Sequence, residues 1–401
     1  MSGRVYITGS GVVSAIGCGR QETLAALLAG RSGIAPVRYL DTGGRPFLLG
    51  EVKRDNAQLK RQLSLPADAV ISRTSLLGIV ALQEALAEAG LSAADCRQMP
   101  LVGGTTVGGM DCSEHFYRDF LSPSHEHDAY IAIHDCGAST DAIAGYFGGF
   151  AFATTLSTAC SSAANAVILG ANLIRAGRAE RVAVGGSESL SNFHLNGFNA
   201  LMIVDSEPCR PFDRTRAGLN LGEGAAFLIL ESEAAARQRG ARPLAVLSGY
   251  GNACDAFHQT ASSENGEGPF RTMRQALAMA GIPASAVDYI NAHGTGTPNN
   301  DASESTAIRR VFGADYPPVS STKGLTGHTT SASGSIEAVF CLLAMQEGFL
   351  PANAGWREPD PTCIRPLAAL RTGVRPQHLL CNAFGFGGND SSLLFSLPPE
   401  S

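Results

Sequence analysis

Charge is what this chain has least of. Only 16% of its 401 residues are Asp, Glu, Lys or Arg, against about a quarter in an average soluble domain. So little charge on so long a chain implies that part of the surface is covered by another subunit. The formal net charge of −6 leaves no basic excess, so neither nucleic acid nor an anionic membrane is expected as a partner. No stretch approaches the ~20 apolar residues of a membrane span. The N-terminus has no basic segment followed by a long apolar run, and no secretory leader is expected. Ten cysteines run from Cys18 to Cys381 without a C-x-x-C or a close pair. Scattered thiols of this kind belong to a reducing compartment, which makes the expected location cytoplasmic. Low-complexity segments and long linkers are missing as well.

The length suits two domains or one large α/β unit. Arg4 to Thr8 alternate as a short strand, followed by Gly9, Gly11 and Gly17 as a glycine-rich turn. Gly9-x-Gly11 lacks the remaining glycine and the acidic residue of a dinucleotide site. Gln21 to Ala29 and Ser72 to Gly90 read as helices, the second with Leu76, Ile79, Leu82 and Leu86 near one stripe. Leu101-Val102, Arg181 to Gly185 and Ala225 to Leu230 read as buried strands, whereas Gly108 to Gly149 shows no regular pattern. Within that stretch, His125, Glu126 and His127 form either a metal tract or an exposed polar loop. The absence of a third ligand at useful spacing favours the loop.

Near Gly240 the chain starts again. Leu244 to Ser248, followed by Gly249 and Gly251, echoes the first strand and its glycines. Strands at Tyr289 to Asn291 and Val319 to Ser321 then alternate with helices at Phe270 to Ala280, Ser303 to Phe312 and Gly334 to Gln346. This alternation predicts parallel sheet covered by helices. Two successive halves, 1–240 and 241–401, point to an internal duplication packed as one body.

The most informative stretch is Thr158 to Gly177. A β-rich run, Ala153 to Ser157, ends at Cys160, and small or aliphatic residues then occupy nearly every face of a helix period. A helix apolar all round belongs in the interior. Cys160 therefore sits at the start of a buried helix, where unpaired N–H groups and the helix dipole favour a thiolate. A buried structural cysteine is the alternative. Two histidines occupy similar places: His293 just past a strand in Asn291-Ala-His-Gly-Thr-Gly-Thr297, and His328 past another in Ser321-Thr-Lys-Gly-Leu-Thr-Gly-His328. Loops beyond strand C-termini are where open α/β sheets bind ligands.

Lys323 stands in an otherwise uncharged segment, while Asp301 and Glu304 follow His293 at the start of the next helix. If Lys323 is drawn inside it needs a carboxylate, and Glu304 is the expected partner. Ala383-Phe-Gly-Phe-Gly-Gly388 sets glycines Gly385 and Gly387 around Phe386. Such a loop brings a backbone N–H close to a reacting carbonyl. Together these residues are equipped for acyl transfer through a thioester. Cys160 is the nucleophile, its own N–H and that of Phe386 form an oxyanion hole worth ~3 kcal/mol per donor, and two imidazoles stabilise an enolate. No metal is expected, because no paired-ligand spacing such as H-E-x-x-H or C-x-x-C occurs.

The chain resembles the β-ketoacyl-acyl-carrier-protein synthases, elongating condensing enzymes of the thiolase superfamily, over nearly its whole length. The matching stretches are Thr158-Ala-Cys-Ser-Ser162, Pro211-Phe-Asp-Arg214, Gly222-Glu-Gly-Ala225, Asp255-Ala-Phe-His258, His293-Gly-Thr-Gly-Thr297, Lys323 to His328 and Phe384-Gly-Phe-Gly-Gly388. The resemblance implies a five-layered αβαβα fold and tight dimerisation, with a like chain or with a ketosynthase-like chain-length factor. It implies that Cys160 takes an acyl group from acyl carrier protein or coenzyme A. Malonyl-carrier protein then loses carbon dioxide, His293 and His328 stabilise the enolate, and its carbon attacks the acyl-enzyme. Lys323 would position the site through Glu304. Phe386 would gate the acyl pocket beside Asp255, with Thr295 and Thr297 among the substrate-binding residues. No cofactor is implied, since the phosphopantetheine arrives with the substrate.

Two departures bear on the pocket. Thr330-Ser-Ala-Ser-Gly334 replaces the usual Gly-Ala-Ala-Gly after the second histidine, and the gate loop ends Gly-Gly-Asn-Asp rather than Gly-Gly-Thr-Asn. They lean the expectation towards a specialised type II system, aryl-polyene or polyketide, over housekeeping fatty-acid synthesis. The rival reading is a non-catalytic chain-length-factor-like subunit, a class that has lost the nucleophilic cysteine. A degradative thiolase would use a second cysteine as base and a single histidine.

Overall fold

The computed structural model describes residues 3–123 and 125–399. Ten strands carry the architecture: β1 (Val5–Ser14), β2 (Leu101–Gly104), β3 (Ala153–Leu156), β4 (Arg181–Glu188), β5 (Gly224–Ser232), β6 (Ala245–Cys254), β7 (Tyr289–Asn291), β8 (Val319–Ser320), β9 (His378–Gly385) and β10 (Asn389–Ser396). They lie side by side in the order β8-β7-β9-β10-β6-β1-β5-β4-β2-β3, and a short strand at Gly17–Cys18 hairpins back on β1. Outward from the centre, the first five strands run first, fifth, fourth, second, third. The second five repeat that order. The two sets meet where Tyr6 and Ile7 pair antiparallel with Val246 and Ala245.

Five helices complete the layers: α1 (Arg73–Ala89), α2 (Ser162–Arg175), α3 (Glu267–Ala280), α4 (Pro298–Phe312) and α5 (Ser333–Glu347). Side chains alternate across each strand, and the cores follow the alternation. Ala226, Leu228 and Leu230 of β5 join Leu393 and Phe395 of β10 in a central core with Val167 and Ala171 of α2 and Ile336 and Phe340 of α5. Phe227 and Ile229 face the other way, onto Leu76, Ile79 and Leu82 of α1. Leu394 of β10 packs with Met273 of α3 and Ile308 of α4. The result is helix, sheet, helix, sheet, helix, with α2 and α5 enclosed. Every residue of α5 from Ser333 to Met345 is buried, as an interior helix requires.

Two expectations need correction. Gly9 and Gly11 are not in a turn; they lie within β1, which continues to Ser14. A Cβ on Gly9 would come 2.2 Å from the Ala85 carbonyl, and one on Gly11 2.0 Å from that of Ala81. The missing side chains let α1 lie directly on the strand. Gly249 and Gly251 do the same in β6, where a Cβ would meet the carbonyls of Ala276 and Thr272 at 2.1 Å each. The stretch after Gly108 is not irregular either. It holds helices at Met110–Phe120 and Cys136–Tyr146 and a 3-10 turn at Asp128–Ile133. In Met110–Phe120 only Cys112 is buried, and Tyr117, Leu121 and Ile131 are exposed; its apolar residues Met110, Cys112, Phe116, Tyr117 and Phe120 do recur at helical spacing, a signal the sequence reading passed over. Among the described residues no helix is long and apolar enough to cross a membrane.

Candidate active site

Cys160 lies between β3 and α2, on a sharp turn that takes Ala159 to a φ of +53°. A non-glycine residue there costs ~1–3 kcal/mol and is held only by its surroundings. Here the Ser162 hydroxyl donates to the Ala159 carbonyl at 2.6 Å and accepts from Thr158 N–H at 2.9 Å. Asn165 Nδ2 braces the Thr158 hydroxyl at 2.9 Å. Ser333, at the start of α5, donates to the Cys160 carbonyl at 3.3 Å.

His328 arrives from the loop after β8, with Nε2 3.1 Å from Cys160 Sγ. His293 arrives from the loop after β7 and meets His328 edge to face, ring centroids 5.1 Å apart at 83°. One ligand atom from each of Cys160, His293 and His328 lies within 4.8 Å of the others, and all three residues are buried. Two distant loops and a strand–helix turn thus converge on one point. The spacing would also admit a metal ion, but Lys323 acts as a nearby positive charge on all three groups and opposes a cation there.

The expected acidity of Cys160 is reversed. Burial pushes its thiol up to about 12, with Glu188 adding to the effect. Lys323 and the backbone N–H groups of Phe386 and of Cys160 itself pull the other way. Desolvation outweighs the helix start, so the resting group is a thiol and needs a base. Burial, and then Lys323, hold both histidines well below the ordinary imidazole value. They are neutral, and each can offer an Nε2 as acceptor or as donor. The two N–H groups that reach the sulfur are those expected of the oxyanion hole.

Lys323 does not pair with Glu304. Its Nζ bonds Glu337 Oε1 at 2.6 Å, with 1% and 3% of the two side chains exposed. The reason is placement: Glu304 is already occupied by His293 N–H at 2.9 Å, Gly294 N–H at 2.8 Å and Asn382 Nδ2 at 3.1 Å. Glu304 therefore holds the His293 loop. Burial raises its carboxyl to about 7, against the pull of those three donors. Asp301 acts on the same loop, accepting from Gly296 N–H at 3.2 Å and Phe212 N–H at 2.8 Å. The Thr295 and Thr297 hydroxyls bond each other at 2.8 Å. Glu337 was missed by sequence reasoning, although one acid within the otherwise uncharged stretch Ser333 to Met345 is a signal that could have found it.

Phe386 stacks on Phe198, centroids 5.6 Å apart and nearly parallel at 20°. Gly385 lies so close that a Cβ would stand 3.0 Å from Cys160 N, which brings the end of β9 against the nucleophile turn. Gly387 N–H donates to the Gln259 carbonyl at 2.8 Å, and Asp255 N–H to that of Gly388 at 2.9 Å. Glu188, also missed, is fully buried near Cys160. It accepts from Thr105 Oγ1 at 2.6 Å, Thr330 Oγ1 at 2.9 Å and Thr106 N–H at 2.9 Å. Thr330 thus spends its hydroxyl, at a φ of +42°, on a carboxylate next to the site.

Residues 2–236 match the β-ketoacyl synthase N-terminal domain and residues 244–357 the C-terminal domain of the same family. The chain belongs to the β-ketoacyl synthase family. Among relatives of this synthase, nodulation protein E of Rhizobium meliloti is 36% identical over 98% of the chain and 99% of its own length. The 3-oxoacyl-[acyl-carrier-protein] synthase 2 of Staphylococcus aureus (strain N315) is 32% identical over 98% of each. The solved ishigamide ketosynthase/chain length factor superposes with a TM-score of 0.92 at 32% identity, covering 99% of this synthase and 100% of that chain. The fold is the thiolase-like one of these ketosynthases.

Proposed function

We propose that this synthase extends an acyl chain held on Cys160 by two carbons taken from malonyl-carrier protein. Convergence of the Cys160 sulfur and two neutral imidazoles within 4.8 Å carries the reading. In the first half-reaction the sulfur attacks the acyl thioester carbonyl as His328 Nε2 takes its proton. The oxyanion rests on the N–H groups of Cys160 and Phe386, and the carrier thiolate leaves and takes a proton from solvent, so that His328 keeps the thiol proton on Nε2. In the second, malonyl thioester loses carbon dioxide and its enolate oxygen is held by Nε2–H of His293 and of His328. The enolate carbon attacks the acyl carbonyl, and the Cys160 sulfur departs and takes back the proton held on His328 Nε2, 3.1 Å away. Lys323, paired with Glu337, moderates the burial cost of the thiolate, and Thr295 and Thr297 line the approach to the histidines. No bound cofactor enters these steps.

The presence of Cys160, His293, His328 and Lys323 in one pocket favours the catalytic role over that of a chain-length-factor-like subunit. The relative named for the acyl carrier protein supports that protein as substrate carrier. The solved ketosynthase/chain length factor supports a dimer with a like or a related chain, and exposed Tyr117, Leu121, Ile131 and Phe193 offer apolar surface for it. The repeated strand order supports 1–240 and 241–401 as duplicated halves. Ten free cysteines suit a cytoplasmic location. Hydroxyls gathered around Glu188 and the altered gate support a type II polyketide or polyene chain over a plain saturated one.

Intact-mass measurement after incubation with acyl-carrier protein tests the reading. The wild type gains the acyl mass on Cys160, and Cys160→Ala gains none. Chain elongation by Cys160→Ala would overturn it.

A further inference from the structure

Both residues at which the gate loop departs from the family pattern hold the loop. Asn389 Nδ2 donates to the Phe386 carbonyl at 2.9 Å. The Asp390 carboxyl accepts from Gly385 N–H. Asp390 is 1% exposed, yet its Oδ2 has no partner among the described residues. That bare oxygen lies against the first turn of α3, where a Cβ on Gly268 would come within 1.9 Å of it.

Asp255 occupies the same turn from the other side. A Cβ on Gly268 would also stand 3.0 Å from Asp255 Cβ. The Asp255 carboxylate accepts from Ser263 N–H at 2.7 Å, Ser263 O–H at 2.8 Å and Gly268 N–H at 3.2 Å, while its own N–H holds Gly388. Two carboxyl groups from opposite sides of the gate therefore share one helix start. Two carboxyl groups side by side, one of them buried, do not both ionise cheaply. Asp255 has the donors, and Asp390 has the empty oxygen on which a proton fits.

We propose that Asp390 is a positioning residue that carries a proton while the gate is closed, and that loss of this proton drives the Asp255 segment off the Gly385–Gly388 loop and opens the pocket. The proton goes to water. Burial, then the charge on Asp255, raises Asp390 to about 8, with Gly385 N–H opposing and Glu304 of α4 adding a little. Its paired neighbours Phe384 on β9 and Ala253 on β6 carry no charge. Glu267 in the first turn of α3 is engaged by Arg271 and Arg310. The closed gate binds the proton more tightly than an open one with a hydrated carboxylate. The closed-to-open ratio therefore falls tenfold per pH unit from the ordinary carboxylate value, about 4, up to about 8, and is flat above.

The inference rests on Cys160 as nucleophile beneath this gate. Its test is the alkylation rate of Cys160 by a bulky fluorescein iodoacetamide, read by peptide mass spectrometry from pH 6 to 9 in the full chain. Asp390→Asn keeps an acceptor for Gly385 N–H and cannot ionise. Thiolate formation affects both proteins alike, so the ratio of wild-type to variant rate reports the gate. The ratio is expected to rise at least tenfold between pH 6 and 8 and then level. Asp255→Asn, which removes the charge opposing ionisation of Asp390, is expected to move the rise at least one pH unit lower. A constant ratio, or a rise that Asp255→Asn leaves in place, overturns the proposal. Acyl-enzyme formation on Cys160 is measured in parallel: its failure in the wild type removes the ketosynthase reading itself, whereas a flat ratio in a chain that acylates removes only the gate.

Discussion

Lys323 and Glu337 form an ion pair of 2.6 Å that solvent hardly touches. Removing one partner from a buried pair leaves an uncompensated charge and costs ~3–5 kcal/mol, whereas replacing both by apolar groups of similar size is often neutral. Lys323→Met and Glu337→Met singly are therefore expected to lose ~3–5 kcal/mol in urea denaturation. The double variant should return to within ~1 kcal/mol of the wild type. Lys323 is also the main group that opposes the upward push on the Cys160 thiol, so the stable double variant should still acylate slowly. Full acylation in that variant would confine the pair to a structural role.

The two histidines should separate by half-reaction. His328 Nε2 is in hydrogen-bond reach of the sulfur at 3.1 Å, whereas a His293 ring nitrogen lies within 4.8 Å of it without such a bond. General base assistance is worth roughly 10²–10⁴-fold. His328→Ala should slow acyl-enzyme formation by that factor, while His293→Ala leaves it within about tenfold. Cys160→Gln places an amide where the acyl thioester would be and should still release carbon dioxide from malonyl-carrier protein. Adding His293→Ala to Cys160→Gln should stop that release. Equal loss of acylation in the two histidine variants would contradict the division of labour.

How far these groups could be read from the chain depended on what surrounds them in sequence. Cys160, His293 and His328 each follow a short strand within a run of small residues, and that local setting marks a strand-end loop. The partner of Lys323 had no such mark. Glu304 was nearer to the histidine motif, but its carboxylate is consumed by the backbone of His293 and Gly294, and only the packing of α5 brings Glu337 to the lysine. Gly9 and Gly11 misled for a related reason. A glycine that serves a turn and one that admits a neighbouring helix look alike until the helix is in place. The acidity of Cys160 was misjudged because the helix start is local, while the burial that outweighs it comes from the whole fold.

Glu304 ties the site to pH-dependent stability. Its folded-state carboxyl is raised to about 7 by burial, against about 4.3 in an unfolded chain. Between those values the folded protein binds the extra proton, so stability falls as pH rises through that window and is level above it. One proton corresponds to about 1.4 kcal/mol per pH unit. Glu304→Gln cannot take up that proton, and its plot of unfolding free energy against pH should be shallower by about this slope between pH 5 and 7. Parallel plots for the two proteins would mean that Glu304 is ionised throughout.

The repeated glycine contacts give the sharpest stability contrast. Gly11 sits where a methyl group would lie 2.0 Å from the Ala81 carbonyl, and Gly251 where it would lie 2.1 Å from that of Thr272. In both cases the obstacle is helix backbone, which cannot rotate away as a side chain would. Overpacking usually costs ~1–3 kcal/mol, and contacts this short against main chain belong at or beyond the upper end. Gly145 is the control: it is exposed on the helix Cys136–Tyr146 with nothing within 4 Å of an added Cβ. Gly145→Ala should gain ~0.5–1 kcal/mol from helix propensity. Gly11→Ala and Gly251→Ala should each lower the urea midpoint by a similar, large amount, because the same helix-on-strand contact is built twice. If only one of them did so, the two halves would not share this helix-on-strand packing.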